Sequence, residues 1–497
     1  MLRALVALSV GIATGIFGFT AGVGLTGSWL AAALIAVAAA GLVALLVHTR
    51  SILAVDVAAC SRGLRIVSGL ATVVALVLLC RLAVFMVFPS HVGYSFLPTS
   101  KWEVAHSCLS AYFVAAQASS STSNVYDNSL YSMPDDDPSQ PRKQRMIGPF
   151  KVDVFEYPPQ FLLLPRLLRL LTPDFMDLRM LWFALNGGVL LLALLAVARF
   201  LGPTDGTRAL LLSPLVWIAI PTLGTLQRGN VQLMVIATAM LAMVLFERRR
   251  WAAGGTLLAF VIVSKIFPGL LLIYLLVRRQ WRAVACTAIM GAAFSVLTLL
   301  ILGWAPYADF LDHLPGLMSG EAFPAFRIPA AAAVNFSIPG VVFKLKLFGV
   351  PGMSFGVAKI VGWAYTLVIL AVIVFAGLRT LGDREKPLVW MAILILATLR
   401  SPLIPQAYAA IPPLWLLTLL AATYPPMRRP SVFLFTWAAL NVYWPIDWPI
   451  DPRLLAIANT VPQVVTVLLV ALVLRRRPEL PNNSLQLALR AAADAGR

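Results

Sequence analysis

Residues 28–47 read SWLAAALIAVAAAGLVALLV, a run without one charged side chain. A helix needs about 20 predominantly apolar residues to cross a bilayer, and this run supplies them. Helical backbone satisfies its own N–H and C=O groups, as lipid requires. Comparable runs lie near 3–24, 66–88, 178–199, 208–223, 229–246, 283–303, 353–378, 388–400, 406–424, 430–445 and 455–474. The run 252–277 is interrupted by Ser264-Lys265-Ile266-Phe267-Pro268-Gly269. It reads as two short helices meeting near the far membrane surface, or as a broken re-entrant pair. The expected fold is an all-α polytopic membrane protein of about 12–14 transmembrane helices.

Composition agrees. The chain of 497 residues is 60% hydrophobic and only 12% charged, with a mean hydropathy of +0.86. A soluble chain carries roughly 25% charged residues, so too few charges are present to cover a water-facing exterior. Soluble and disordered classes are excluded. The net charge of +18 sits in short clusters between apolar runs: Arg248-Arg249-Arg250, Arg278-Arg279 with Arg282, Arg428-Arg429 and Arg475-Arg476-Arg477. Such clusters follow the positive-inside rule, whereas a nucleic-acid surface gathers them on one folded face. No nucleic-acid partner is expected. The four cysteines, Cys60, Cys80, Cys108 and Cys286, lack the spacing of a disulfide framework or a zinc site. Met1-Leu2-Arg3 leads into the first apolar run, which reads as an uncleaved helix because a second follows at once.

Placing Arg3 inside and alternating puts the clusters near 48–65, 199–208, 247–250, 278–282, 379–386, 428–429 and 475–477 on the cytoplasmic side, with both termini. Loops 89–177, 222–230, 304–352 and 446–453 then face outward. Four regions are expected: N-terminal helices (1–88), the first periplasmic loop (89–177), a transmembrane core (178–477) and a short polar cytoplasmic tail (478–497). The first loop has a solvated centre, Ser119-Ser120-Ser121-Thr122-Ser123, Asp135-Asp136-Asp137-Pro138 and Arg142-Lys143-Gln144-Arg145. Beyond it, 161–171 alternates apolar residues with Arg166 and Arg169 between prolines, the pattern of an amphipathic helix lying in the interface. No internal repeat or second soluble domain is visible.

Charges at membrane depth are costly and usually mark function. Arg228 in Gln227-Arg228-Gly229-Asn230, Lys265, Arg327 and Arg400 in Arg400-Ser401-Pro402 fall on the outward side, outside the cytoplasmic clusters. Arg228 and Asn230 are expected where a helix begins, a place that favours an anion. Lys265 is expected where a helix break opens backbone toward a cavity. Together they would suit a lipid-linked phosphate; singly, each also reads as a side chain snorkelling to headgroups. Acidic candidates in the first loop are Glu103, Asp127, Asp153 and Glu156, with His106 among them; a carboxylate or imidazole there could deprotonate an acceptor hydroxyl. The 135–137 run reads as solvated linker, and His313, near Asp309 and Asp312, as a loop residue. Asn335-Phe336-Ser337 matches a glycosylation sequon, a weak pattern. No nucleotide-binding, zinc-protease or serine-hydrolase motif stands in a credible setting.

Read in order, Ala111-Tyr112-Phe113-Val114-Ala115-Ala116, Asn124-Val125-Tyr126-Asp127, Phe155-Glu156-Tyr157-Pro158-Pro159, Gln227-Arg228-Gly229-Asn230-Val231-Gln232, Ser264-Lys265-Ile266-Phe267-Pro268-Gly269, Asn335-Phe336-Ser337-Ile338-Pro339-Gly340 and Ser401-Pro402 resemble glycosyltransferase family 87. That family belongs to the C-type, lipid-sugar-dependent superfamily and includes mannosyl- and arabinofuranosyltransferases of cell envelopes. The resemblance runs from about Ala111 to Tyr408. It implies inverting transfer of a mannose- or arabinose-like sugar (hexose or pentose) from a polyprenyl-phosphate donor to a lipid or envelope glycan acceptor, on the periplasmic face of the inner membrane. It further implies donor-phosphate contacts from Lys265, Arg228 and Arg400, and substrate contacts from Tyr157, Asn230 and Asn335. No cofactor is expected, although some C-type enzymes use a divalent ion.

The family usually places an Asp a few residues before the tyrosine that is Tyr112 here. This chain has Cys108 and Ser110 in that region, with His106 and Glu103 upstream. His106, Glu103, Asp153 and Glu156 are therefore all candidates for the base, and a scaffold without catalysis is an alternative. A transporter or lipid flippase is the other; it predicts inverted repeats and charges paired near the midplane.

Overall fold

The computed structural model describes residues 2–49, 56, 60–121, 124–133 and 143–476. The expected solvated stretches at 122–123 and 135–138, Arg142, and the tail from Arg477 onward lie outside the described residues. Within them the chain is helical apart from short 3-10 turns and one small sheet.

Among the described residues, eight helices are long and apolar enough to cross a membrane, including Arg3–Thr26, Trp29–Thr49, Arg62–Val87, Phe175–Phe200, Trp281–Leu302, Phe355–Leu378 and Pro452–Arg475; a bent pair makes nine. Five shorter apolar helices accompany them, including Gln232–Glu247, Trp251–Ser264, Lys386–Thr398 and Pro430–Leu440. The expected apolar runs are nearly all helical, but the figure of 12–14 crossings counts pieces that do not span alone. Trp251–Ser264 has 14 residues, about 21 Å at ~1.5 Å per residue, against about 30 Å of hydrocarbon. The expected single crossing at 208–223 is likewise two pieces, Gly202–Trp217 and Ile220–Arg228, bent by 62°. Pro221 in the first turn of the second piece cannot donate to the helix before it, so the chain turns there.

Lys386–Thr398, Ile411–Thr423 and Gln232–Glu247 form the almost wholly buried centre, with Trp390 and Trp415 among its largest side chains. The outer helices turn Leu30, Leu70, Leu300, Ile360 and Leu378 outward, surface suited to lipid. Between helices in lipid, close packing replaces the hydrophobic effect. The hairpin Leu2–Thr26/Trp29–Thr49 illustrates it: a Cβ on Gly11 would lie 2.9 Å from Ala44 Cβ, and one on Gly22 2.7 Å from Ala32 Cα.

The basic clusters meet at one end. Asp205 accepts from Arg208 at 3.1 Å, pairs with Arg384 at 2.6 Å and lies 3.9 Å from Arg428. Lys386 pairs with Glu247 at 2.7 Å, and Arg278 donates to the Arg379 carbonyl at 2.6 Å. The loops expected to face outward meet at the other end, where Asp447 accepts from Ser100 Oγ at 2.6 Å and Gln227 donates to the Glu103 carbonyl at 2.9 Å. The 304–352 loop is largely helical, and His313 sits on its Ala305–Ser319 helix, stacked on Tyr126, rather than in a loop.

The amphipathic segment forms a helix over Leu163–Leu171. Leu167, Leu170 and Leu171 are exposed, while Arg166 donates to Ser119 Oγ at 2.6 Å and Arg169 lies over the Phe113 ring. Its cations turn to the protein and its leucines outward, as a helix resting on lipid requires.

Candidate active site

A three-stranded sheet assembles the first loop: β1 (His106–Ser107), β2 (Met146–Ile147) and β3 (Phe150–Val152), in the order β1-β3-β2. β1 and β3 run parallel, with His106 opposite Lys151 and Ser107 opposite Val152. This register brings Asp153, the residue after β3, to His106; Nε2 and Oδ2 are 3.7 Å apart. Ser110 Oγ accepts from the Asp153 N–H at 2.9 Å. Tyr112 donates to the Tyr157 hydroxyl at 2.9 Å and accepts from the Val231 N–H at 3.2 Å, tying the loop to the core.

These groups face a cavity of about 1340 Å³ at the end away from the basic clusters. Its lining includes the polar groups His106, Cys108, Asp153, Glu156, Lys265 and Arg400 and the apolar side chains Phe310, Leu314, Leu317, Met318 and Ile369.

Lys265 ends the Trp251–Ser264 helix in extended conformation. Its Nζ donates to Gln232 Oε1 at 2.9 Å and lies 5.4 Å from the Tyr157 ring. It is a cation on the cavity wall held by a neutral amide, and so able to meet an anion. Arg400 also lines the cavity, over the Trp363 ring and bonded through Nε to Thr366.

Arg228 differs from expectation. It is the last residue of the Ile220–Arg228 helix, not the start of one. Gly229 caps that helix at φ +69°, and a Cβ there would lie 3.0 Å from Leu109 Cβ; glycine alone adopts such a turn cheaply. Arg228 Nε is 3.1 Å from Glu103 Oε2, and both side chains are buried. Glu103 also accepts from the Tyr443 hydroxyl. Each member of this pair is neutralised by the other, and both line the cavity, so Glu103 and Arg228 face it as an ion pair rather than as separate charges. Arg327, the fourth outward cation, lies on the Pro324–Arg327 turn and does not line the cavity.

The other loop candidates remain open to the cavity. Burial holds His106 below the usual imidazole range against the opposing pull of Asp153, so its ring, stacked on Trp102, is neutral near pH 7. Burial, reinforced by Asp153, raises the Glu156 carboxyl well above its usual range although Lys265 opposes it. Burial also pushes the Cys108 thiol up to about 12. Asp127 instead caps the turn at Asn128–Leu130.

Asn230 lines the cavity; its amide donates to Cys108 Sγ at 3.3 Å and its oxygen accepts from the Gln232 N–H at 2.9 Å. Asn335 is fully buried and does not line the cavity. It bonds the Pro402 carbonyl at 2.9 Å and the Ser337 and Ile404 N–H groups at 3.1 Å each. Asn335 therefore positions the 401–405 turn rather than substrate, and its burial removes it as a glycosylation acceptor. Gln232, Tyr408 and Trp363 line the cavity without having been singled out; only the polar breaks beside Gln232 and Tyr408 hinted at them.

The family model of glycosyltransferase family 87 matches residues 155–405. The chain belongs to glycosyltransferase family 87. It is thus a membrane glycosyltransferase, and the matched region holds Glu156, Tyr157, Arg228, Asn230, Lys265 and Arg400 but not His106, Cys108 or Asp153. Neither curated proteins nor solved structures gave a match. In this family 87 chain His106, Cys108 and Asp153 thus come from the part of the first loop that precedes the matched region.

Proposed function

We propose that this glycosyltransferase moves a hexose or pentose, mannose- or arabinose-like, from a polyprenyl-phosphate donor to a lipid or envelope glycan acceptor, with inversion. The carrying observation is one cavity, opposite the basic clusters, whose lining brings Lys265 together with two carboxyl groups bound in no ion pair with it, Asp153 and Glu156. A polyprenyl-phosphate sugar holds its anomeric carbon at the membrane surface beside a phosphodiester charge, and the apolar lining suits the first prenyl units. In the step proposed, the acceptor oxygen attacks the anomeric carbon while its proton passes to Asp153, beside neutral His106. The anomeric carbon–phosphate oxygen bond breaks, and its electron pair stays on the departing phosphate. Lys265, with Arg400, meets that charge; protonated Glu156 donates a hydrogen bond to donor or sugar oxygen. The positive-inside rule supports an inner-membrane protein with cytoplasmic termini and a periplasmic cavity.

The test is transfer from radiolabelled polyprenyl-phosphate mannose, arabinose, glucose and galactose by purified protein. Loss of transfer on the order of 10²–10³ in Lys265→Ala and Asp153→Asn is expected. No turnover of any donor by well-folded wild type would overturn the reading.

A further inference from the structure

Cys108 has no part in the proposed step, yet it is buried and lines the same cavity as His106 and Asp153. One donor atom from each of His106, Cys108 and Asp153 lies within 4.8 Å of the others. His106 Nε2 is 3.5 Å from Cys108 Sγ and 3.7 Å from Asp153 Oδ2. A tetrahedral zinc ion, with bonds of about 2.3 Å to sulfur and about 2.0 Å to nitrogen and oxygen, separates its ligands by roughly 3.3–3.6 Å. The nitrogen–sulfur edge already has that spacing, the nitrogen–oxygen edge would close by about 0.4 Å, and the sulfur–oxygen edge, within 4.8 Å, closes by a small rotation of the Asp153 side chain.

The scaffold fixes the geometry. The β1/β3 pairing sets His106 against the segment carrying Asp153, and Cys108 follows β1 directly. Asn230 donates to the sulfur at 3.3 Å, and the Tyr408 hydroxyl lies 3.1 Å from it; such partners suit a thiolate and are the outer shell a metal ligand needs. His106 Nδ1 is buried without a hydrogen-bond partner, unlike most zinc-bound histidines, so an exchangeable ion is indicated rather than a structural one. Calcium and magnesium prefer all-oxygen sites, whereas thiolate with imidazole selects zinc-class ions.

We infer that His106 Nε2, Cys108 Sγ and Asp153 Oδ2 form a three-ligand site for a thiophilic divalent cation of the zinc class, its fourth position open to the cavity. Binding releases the thiol proton to solvent and occupies Asp153. Resting on the proposed role of Asp153 as base, zinc loading suppresses sugar transfer and a chelator restores it.

The experiment titrates cobalt(II), then zinc, into full-length protein stripped by chelator in detergent. A near-ultraviolet thiolate-to-cobalt band saturating at one ion per chain is expected, displaced by zinc. Cys108→Ser abolishes the band, His106→Ala weakens zinc binding at least tenfold, and a Cys60→Ser/Cys80→Ser/Cys286→Ser variant keeps both. Thermal melts of each variant establish that it is folded. Absence of the band in wild type, or equal zinc binding by folded Cys108→Ser, would overturn the site. Zinc bound at one per chain with undiminished transfer would uphold the site and overturn Asp153 as the base.

Discussion

Glu103 and Arg228, 125 positions apart in the chain, meet as an ion pair at 3.1 Å with 1% and 4% of their side chains exposed. The Glu103 backbone carbonyl also accepts from Gln227 at 2.9 Å, so the pair and its neighbours pin the first loop to the bend at Gly229. Removing one partner of such a pair leaves a buried charge and typically costs about 3–5 kcal/mol, whereas replacing both with apolar residues is often neutral. Glu103→Leu and Arg228→Met should each lower the melting temperature in detergent, and the double variant should recover most of the loss. A double variant whose loss equals the sum of the two single losses would show that the two do not act as a pair.

Glu156 gives a pH signature. Burial raises its carboxyl above the ordinary range, so the protonated form persists to higher pH than in a free chain. If that form donates to the substrate, transfer falls as pH rises through the raised value. Glu156→Gln keeps the donor and should erase this alkaline limb with only a few-fold loss at lower pH, while Glu156→Ala should lose activity throughout. An unchanged limb in Glu156→Gln would assign it to another group.

The two cavity cations differ in how they are held, which predicts different kinetics. Lys265 is a point charge bonded to Gln232, and its loss should fall mainly on kcat, by on the order of 10²–10³. Arg400 is a planar guanidinium over Trp363, and lysine cannot reproduce that stacking. Arg400→Lys and Trp363→Ala should each raise the donor KM, with kcat changed less. Steady-state kinetics with one donor separates the two patterns.

Orientation is tested by labelling intact cells with a membrane-impermeant maleimide, in a Cys80→Ala background. Met146, half exposed on β2, should react as Met146→Cys without lysis. Asp383, at the basic end beside Lys386, should react as Asp383→Cys only after the membrane is opened. The reverse pattern would turn the cavity toward the cytoplasm.

The helices were legible because apolar length is a local property: the run at 28–47 and the break at Ser264–Gly269 can be read without knowing their neighbours. Lys265 was legible for the same reason, a charge in an apolar segment beside a proline. Arg228 was legible as unusual but not in its role, since its partner Glu103 lies far off in sequence and no periodicity links them. The sheet that joins His106 to Asp153 was not legible at all. Its strands hold two or three residues, too few for alternation to register. Asn335 misled because a buried turn-former and a substrate ligand carry the same amide.

Two backbone rungs of β1 and β3 hold the corner of His106, Cys108 and Asp153 together, and this relieves the chain between Ala118 and Met146 of that duty. Closing a flexible loop costs only about 0.6 kcal/mol for each doubling of its length. Changes of length between its packed residues are therefore cheap, whereas Val125, Tyr126 and Tyr131, buried in the core with Tyr126 donating to the Tyr157 carbonyl at 2.8 Å, resist substitution. Tyr131, Ser132, Met133, Lys143 and Gln144 of the same stretch line the cavity, so substitutions there would reshape what the chamber admits without touching the corner that faces it.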